Sequence, residues 1–308
     1  MEKVVVAVCT ANRPVMLSRL LCRLQDLSVA TLPGTTLLVV DNRPGQGVRE
    51  SSQKNLDRLG VPFLWVEEPV PGISQARNRA VLEAIAIGAD AIAFLDDDNL
   101  PELGWLEALI AVARREHADV VIGNRRKADR SDQDEGLMLK VGDHLWKSDG
   151  MPELMSTANV LVGVGILKQL MISGPAFDTR FSPMGGEDAD FFIRARALGA
   201  VFATAPDSIV DFRTEGARAS VAGQIARKFK SGCAQAHLVR KHQRLFAAAS
   251  WIGVLILRTA EQLLLLPVRS VLPQVRADAC AKLGNSAGAW FGLLGGRINY
   301  YRGTGLSE

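Results

Sequence analysis

Disulfide chemistry, a cysteine-based zinc site and a histidine-centred active site are poorly provided for in this 308-residue chain. Its four cysteines, Cys9, Cys22, Cys233 and Cys280, stand far apart with no paired spacing, which argues against a disulfide framework and predicts reduced core residues. The four histidines, His117, His144, His237 and His242, form no ligand-spaced set, and none stands beside a Ser or Cys with a nucleophile signature. No GxxxxGK[ST] phosphate loop, GxGxxG dinucleotide turn or HExxH helix occurs. General acid or base work therefore falls to carboxylates. The opening "MEKVVVAVCTANRP" has an apolar run of about seven residues without the basic start and long middle of a signal peptide, and is read as a strand.

A chain of this length can bury a sizeable core, as one large domain or two small ones. The formal net charge of +3 hides an asymmetry. Residues 1–212 carry 22 Lys and Arg against 29 Asp and Glu, whereas residues 213–308 carry 14 against 4. A basic tail implies an anionic partner: nucleic acid, a phospholipid surface or a phosphorylated substrate.

From Lys3 to Gly123, short β-branched runs alternate with helical periodicity. "KVVVAVC", "TTLLVVD", "VPFLWVE", "DAIAFLD" and "ADVVIGN" are predicted strands. Leu17, Leu20, Leu21 and Leu24 fall at helical spacing, as do Ala76, Ala80 and Ala84. The pattern predicts an α/β domain with a mostly parallel sheet, in which ligands collect at the carboxyl ends of the strands. Thr10, Asn12 and Arg13 follow the first strand, Asp41 and Asn42 end the second, and Asp96, Asp97 and Asp98 end the fourth. Three adjacent carboxylates repel one another and need compensation. The alternatives are a solvated loop capping a helix that starts near Pro101, or a divalent cation, and the convergence at strand ends favours the cation. Residues 124–150 are polar and irregular, and residues 125–135 read as a mobile surface insertion. Beyond them, "STANVLVGVGILKQL" reads as a strand and a short helix. In "FSPMGGEDADFFIRARALGA", Phe191, Phe192, Ala195 and Leu198 recur as one helix face, which puts Glu187 and Asp188 at a helix N-terminus. There the acidic pair is either dipole-favoured capping or chemistry.

Five segments in order resemble the nucleotide-sugar-dependent glycosyltransferases of family 2, with the GT-A fold: "VVVAVCTANRPVMLSRLLCRL", "LLVVDNRPG", "PGISQARNRAVLEA", "DAIAFLDDDNLPELGWLEAL" and "FDTRFSPMGGEDADFFIRARALGA". The resemblance covers residues 3–212. It implies a catalytic domain over 1–212, with a donor half of about 1–123 and an acceptor half of about 124–212, followed by a basic, amphipathic helical region over 213–308. It implies that Thr10, Asn12, Arg13, Asp41, Arg77, Asp96 and Asp97 contact the nucleotide sugar. Asp98 would bind Mg²⁺ or Mn²⁺, hard cations that prefer carboxylate oxygens. It also implies that Asp188 is the general base, with Glu187 the second choice, in an inverting transfer from a donor with UDP as the expected nucleotide. Processive synthases of the family carry Gln-x-x-Arg-Trp, whereas this chain has Gln224, Arg227 and Lys228. That departure predicts single-sugar addition, with Arg227 and Lys228 contacting a diphosphate or acceptor or simply forming a solvated basic face. A sugar-nucleotide pyrophosphorylase is disfavoured because "CTANRP" replaces its Gly-rich loop. A non-catalytic nucleotide-sugar scaffold is the other alternative.

"LFAAASWIGVLILRTAEQLLLLPVRSVL", residues 245–272, is the most apolar stretch. Ala247 to Leu257 falls short of the roughly 20 apolar residues a bilayer span needs, and Arg258 and Glu261 interrupt it. Beside the basic segments "RKFKSG" and "RKHQR" it predicts an interfacial helix on an anionic membrane surface, with "GNSAGAWFGLLGGRINYY" as a second. The competing reading is a helix packed on the catalytic domain or a homo-oligomer interface. The expected setting is peripheral, at the cytoplasmic face of a bacterial inner membrane, with a lipid-linked oligosaccharide as acceptor and no nucleic acid partner.

Overall fold

In the computed structural model, residues 2–26, 34–127, 137–139, 145, 156–212, 220–243, 245–269 and 273–298 are described. They group into two compact units, residues 1–179 with 191–213, and residues 180–190 with 214–308.

The first unit is built on a nine-stranded sheet. Strands β1 (Val4–Thr10), β2 (Thr35–Asp41), β3 (Phe63–Glu67) and β4 (Ala91–Asp96) run parallel in the order β3-β2-β1-β4. All five predicted strands are present, the fifth as β6 (Val120–Lys127). Beyond β4 the sheet becomes mixed. Strand β8 (Asn159–Gly163) is antiparallel to both β4 and β6, and β9 (Phe202–Phe212) runs parallel to β6. β5 (Asn99–Pro101) closes the order against β9, and β7 (Leu137–Leu139) pairs with β6.

Helices α1 (Pro14–Asp26), α2 (Val48–Leu56), α3 (Ile73–Ala86), α4 (Trp105–Glu116) and α5 (Val164–Ile172) connect the strands. The leucine stripe of α1 is at most 2% exposed, and Ala76, Ala80 and Ala84 of α3 are fully buried. One core cluster joins α1 and α4 to one set of sheet residues, Val4, Val6 and Val8 among them. A second joins α3 and α5 to the alternate set, Val5 and Ala7 among them, so β1 is apolar on both faces.

Several expectations are corrected. Pro101 ends strand β5, and the helix expected near it starts at Trp105. Residues 124–127 continue β6, because their backbone pairs with β9 and β7, and residues 137–139 form β7; of the stretch 124–150, residues 128–136, 140–144 and 146–150 lie outside the described residues. Leu198 follows the end of α6 (Glu187–Ala197) and is 48% exposed, leaving Phe191, Phe192 and Ala195 as the buried face. Of the free cysteines Cys233 is buried, Cys9 and Cys280 are half-buried, and Cys22 is exposed.

The second unit holds α7 (Val221–His242), α8 (Leu245–Arg269) and α9 (Pro273–Leu293). Ser220 caps α7, its hydroxyl accepting the Gly223 N–H at 3.0 Å. Helices α7 and α9 touch backbone to backbone. A Cβ at Gly288 would lie 1.9 Å from the Phe229 carbonyl oxygen, and one at Gly232 would lie 1.9 Å from that of Asn285. Two polar side chains of α8 bond to α9: Gln262 accepts from Ser286 at 2.9 Å, and Thr259 accepts the Trp290 indole N–H at 3.2 Å, while Arg258 and Glu261 are exposed. Leu257, Leu263 and Leu264 face away, 71%, 58% and 78% exposed, whereas Leu255 is buried.

Candidate active site

Strand register assembles one side of the site. Thr10 pairs with Asp41 across β1 and β2, and Cys9 pairs with Asp96 across β1 and β4, so these residues end their strands together. Asn12 then takes a left-handed conformation, φ 53°, which Asn tolerates better than most residues. Pro14 opens α1, where its missing N–H costs nothing. Between them, the Arg13 guanidinium turns onto the acidic triplet. One nitrogen pairs with Asp97 Oδ1, and the other donates to Asp98 Oδ2 at 2.7 Å. The Thr10 hydroxyl donates to the second Asp97 oxygen at 2.8 Å. On the far side of the triplet, the Asn99 amide donates to the Ala158 carbonyl at 3.1 Å, and β5 carries the chain into the sheet.

The three carboxylates thus have different environments. Asp97 is 3% exposed, and burial pushes its pKa up to about 7, with Arg13 the largest opposing influence. The side chains of Asp96 and Asp98 are 39% and 22% exposed. Burial also pushes the Cys9 thiol up to about 12, partly countered by Arg77, so Cys9 supplies no thiolate near neutral pH.

Helix α3 supplies the next layer through three consecutive residues. Ala76 is fully buried, where a larger side chain would separate α3 from the sheet. Arg77, 5% exposed, places a guanidinium nitrogen 3.5 Å from Asp96 and lies over the Phe177 ring at 5.7 Å. The Asn78 amide donates to the Phe177 carbonyl and accepts the Phe177 N–H, both at 2.8 Å. The loop into α3 is tied by Asn42, whose amide donates to Glu68 and Val70 carbonyls at 2.9 and 2.7 Å and accepts the Gly72 N–H at 2.7 Å. Neighbouring Asp41 is 2% exposed and accepts the Arg43 N–H at 3.0 Å; burial raises its pKa and that hydrogen bond opposes the rise.

Among the described residues no three His, Cys, Asp or Glu side chains form a closed metal cage. A pair of accessible carboxylates, Asp96 and Asp98, instead suits a Mg²⁺ or Mn²⁺ that completes its shell with substrate phosphates and water, so the donor set fits such an ion.

The second unit carries the other expected residues. Glu187 and Asp188 occupy the first turn of α6, as the sequence predicts, with Glu187 7% exposed. Arg227 and Lys228 are exposed on α7. Sequence reasoning missed Asp190, which is fully buried on the same turn and meets Lys241 and His242 from the end of α7. Its signal was an acid two residues beyond the pair, matched by a basic run read only as membrane-facing. Arg240 of that run is exposed and reaches along the surface to the Gly292 and Leu293 carbonyls at 3.4 Å.

Residues 5–171, more than half of the chain, match the family model for glycosyl transferase family 2. The chain is similar to the succinoglycan biosynthesis protein ExoM of Rhizobium meliloti (strain 1021), at 28% identity over 247 residues that span 79% of this chain and 74% of that protein. Among solved structures it resembles the mannosyltransferase PcManGT from Pyrobaculum calidifontis in complex with GDP-Man and Mn²⁺. The TM-score is 0.63 at 16% identity, over 94% of this chain and 87% of that one, which supports a common GT-A fold. The chain is a glycosyltransferase and belongs to glycosyl transferase family 2.

Proposed function

We propose that this glycosyltransferase moves one sugar, with inversion, from a nucleoside diphosphate sugar to a lipid-linked oligosaccharide during cell-surface polysaccharide synthesis. The observation that carries the reading is the convergence of Thr10, Arg13, Asp41, Arg77 and the Asp96–Asp98 triplet at the carboxyl ends of β1, β2 and β4. Asp41 accepts an N–H from the nucleobase, which suits a uracil. Thr10, Asn12 and Arg13 line the nucleotide side, Arg77 braces Asp96, and Asp96 and Asp97 serve the ribose and sugar hydroxyls. Asp98 ligates Mg²⁺ or Mn²⁺, and such an ion supplies neutralisation of the charge that builds on the departing diphosphate. Asp188 takes the proton from the attacking hydroxyl, Glu187 orients the acceptor, and attack from the face opposite the diphosphate gives a β-linked product from an α-linked donor. Arg227 and Lys228 contribute positive charge for a diphosphate.

A membrane-surface setting, at the cytoplasmic face in this reading, draws its membrane part from α8. Its segment Ala248–Leu265, 18 residues with a mean hydropathy of 1.3, is long and apolar enough by length and composition to cross a membrane, which corrects the expectation that the run falls short, and only 6% of it is buried. Thr259 and Gln262 bond to α9 while Leu257, Leu263 and Leu264 are exposed alongside Arg258 and Glu261, a mixed apolar and charged face that suits a membrane surface.

Thermal-shift titration with UDP-, GDP- and dTDP-sugars, with and without Mn²⁺, tests the donor side. At least one nucleotide sugar should stabilise the protein more with Mn²⁺ than without, and Asp98→Asn should remove the metal-dependent part while leaving a cooperative melt. Undiminished metal coupling in Asp98→Asn would reject Asp98 as ligand, and no stabilisation by any nucleotide sugar would reject the donor site.

A further inference from the structure

Asp190 has no place in the chemistry above, yet it is a carboxylate buried completely on the turn that carries Glu187 and Asp188. Two cationic-capable groups converge on one of its oxygens. Lys241 Nζ forms an ion pair with Oδ1, and His242 Nε2 lies 2.7 Å from the same atom. Lys241 also sits over the Phe181 ring at 5.3 Å. The segment is packed on α7 at a further point: a Cβ at Gly186 would meet the Ala234 Cβ at 3.2 Å and a Leu238 methyl at 3.4 Å. Residues 181–190 are therefore seated on the C-terminal half of α7.

Gly185 and Gly186 precede the turn with φ of 80° and 93°, a left-handed conformation that glycine adopts freely and leaves as freely. Backbone hydrogen bonds tie the turn, the Gly185 N–H donating to the Phe181 carbonyl at 2.8 Å and the Asp190 N–H to the Gly186 carbonyl at 2.9 Å, and the Asp190 side chain adds a tie to α7. A buried charge is also an expensive way to secure a helix end, since an apolar residue of similar size gives comparable stability without desolvation. Directional ion pairing does fix orientation, which apolar packing does less well.

We propose that Asp190, held by Lys241 and His242, is a positioning residue that sets the first turn of α6 and thereby aims Asp188 and Glu187 at the acceptor. The inference rests on the reading of Asp188 as general base. It gives α7 a role in the transfer step: the helix end fixes the angle of the turn, and small misplacement of a catalytic group is costly to rate.

The test compares Lys241→Met, Asp190→Asn and the conservative Lys241→Arg with the wild-type full chain. Amide hydrogen exchange reads the turn directly, and release of nucleoside diphosphate from UDP-glucose, UDP-galactose and GDP-mannose with Mn²⁺ reads turnover to water. Lys241→Met and Asp190→Asn should speed exchange at residues 187–190 about tenfold or more, leaving β1 to β4 unchanged. Donor turnover should fall by about 10–100-fold with donor KM within about twofold, the kcat-selective loss expected of misplacement. Lys241→Arg should restore both. Unchanged exchange at 187–190, faster exchange with unchanged turnover, or protection lost throughout the chain in both Lys241→Met and Asp190→Asn would each overturn the proposal, the last by assigning the contact to folding. Asp188→Asn is run beside them. If it turns over donor as fast as wild type, the base assignment fails; in that case, or if wild type turns over none of the three, exchange at 187–190 alone decides whether Asp190 holds the turn, and unchanged exchange overturns the proposal.

Discussion

Arg13→Gln removes the cation shared by Asp97 and Asp98, and its effect on stability should depend on pH in a calculable way. A buried carboxylate left charged without its partner costs about 3–5 kcal/mol. Asp97 can avoid that cost by taking a proton, because burial already holds it at about 7 and loss of Arg13 raises it further. Its folded pKa lies above the unfolded value of 3.8, so its contribution to stability is fully present below the unfolded pKa and is lost as pH rises through about 7. At pH 6 the carboxyl is mostly protonated with or without Arg13, and the substitution costs little through Asp97. At pH 8 the wild-type carboxylate is ionised and the variant must stay protonated, which costs about 1.4 kcal/mol per pH unit above the wild-type value. Loss of the partly exposed Asp98 pair adds at most about 1 kcal/mol at either pH. At about 2–4 °C per kcal/mol, the Tm gap between wild type and Arg13→Gln should widen by about 3–6 °C from pH 6 to pH 8. Melts followed by circular dichroism in EDTA measure it. A gap that stays constant or narrows would refute the argument that protonation of Asp97 limits the cost.

Asp188→Asn should leave nucleotide-sugar affinity intact and lower turnover by about 10²–10⁴-fold, as removal of a general base does; isothermal titration beside a nucleotide-release assay separates the two. Gly288→Ala should lower Tm, because its Cβ would meet the Phe229 carbonyl oxygen at 1.9 Å and must part α7 from α9. On an unconstrained helix the same change would gain about 1 kcal/mol, so a raised Tm would contradict the close crossing. Leu257→Ser with Leu264→Ser should abolish the salt-resistant part of binding to anionic vesicles in flotation, each fully buried leucine being worth about 1.5–3 kcal/mol. Equal flotation of variant and wild type at high salt would remove α8 from the membrane interface.

The amino-acid order determined what is local. β-branched runs specified β1 to β4 and β6, the Leu17–Leu24 stripe specified the buried face of α1, and Gly-Gly before an acidic pair marked the start of α6. Each is set by side-chain periodicity and backbone freedom within a few residues, so the strand ends bearing Thr10, Asp41 and Asp96 were legible as one cluster. Tertiary structure decided how like charges are shared out. Nothing in "DDD" distinguishes Asp97, buried against Thr10 and Arg13, from its two more exposed neighbours, because that difference depends on side chains more than 80 residues away. The basic tail was legible as charge, but its direction was not. Lys241 and His242 look membrane-facing in sequence yet reach the buried Asp190, while Leu257, Leu263 and Leu264 of α8 turn outward and its Thr259 and Gln262 pair with α9. Periodicity tells which residues share a helix face; only the neighbouring helices decide whether that face is inside.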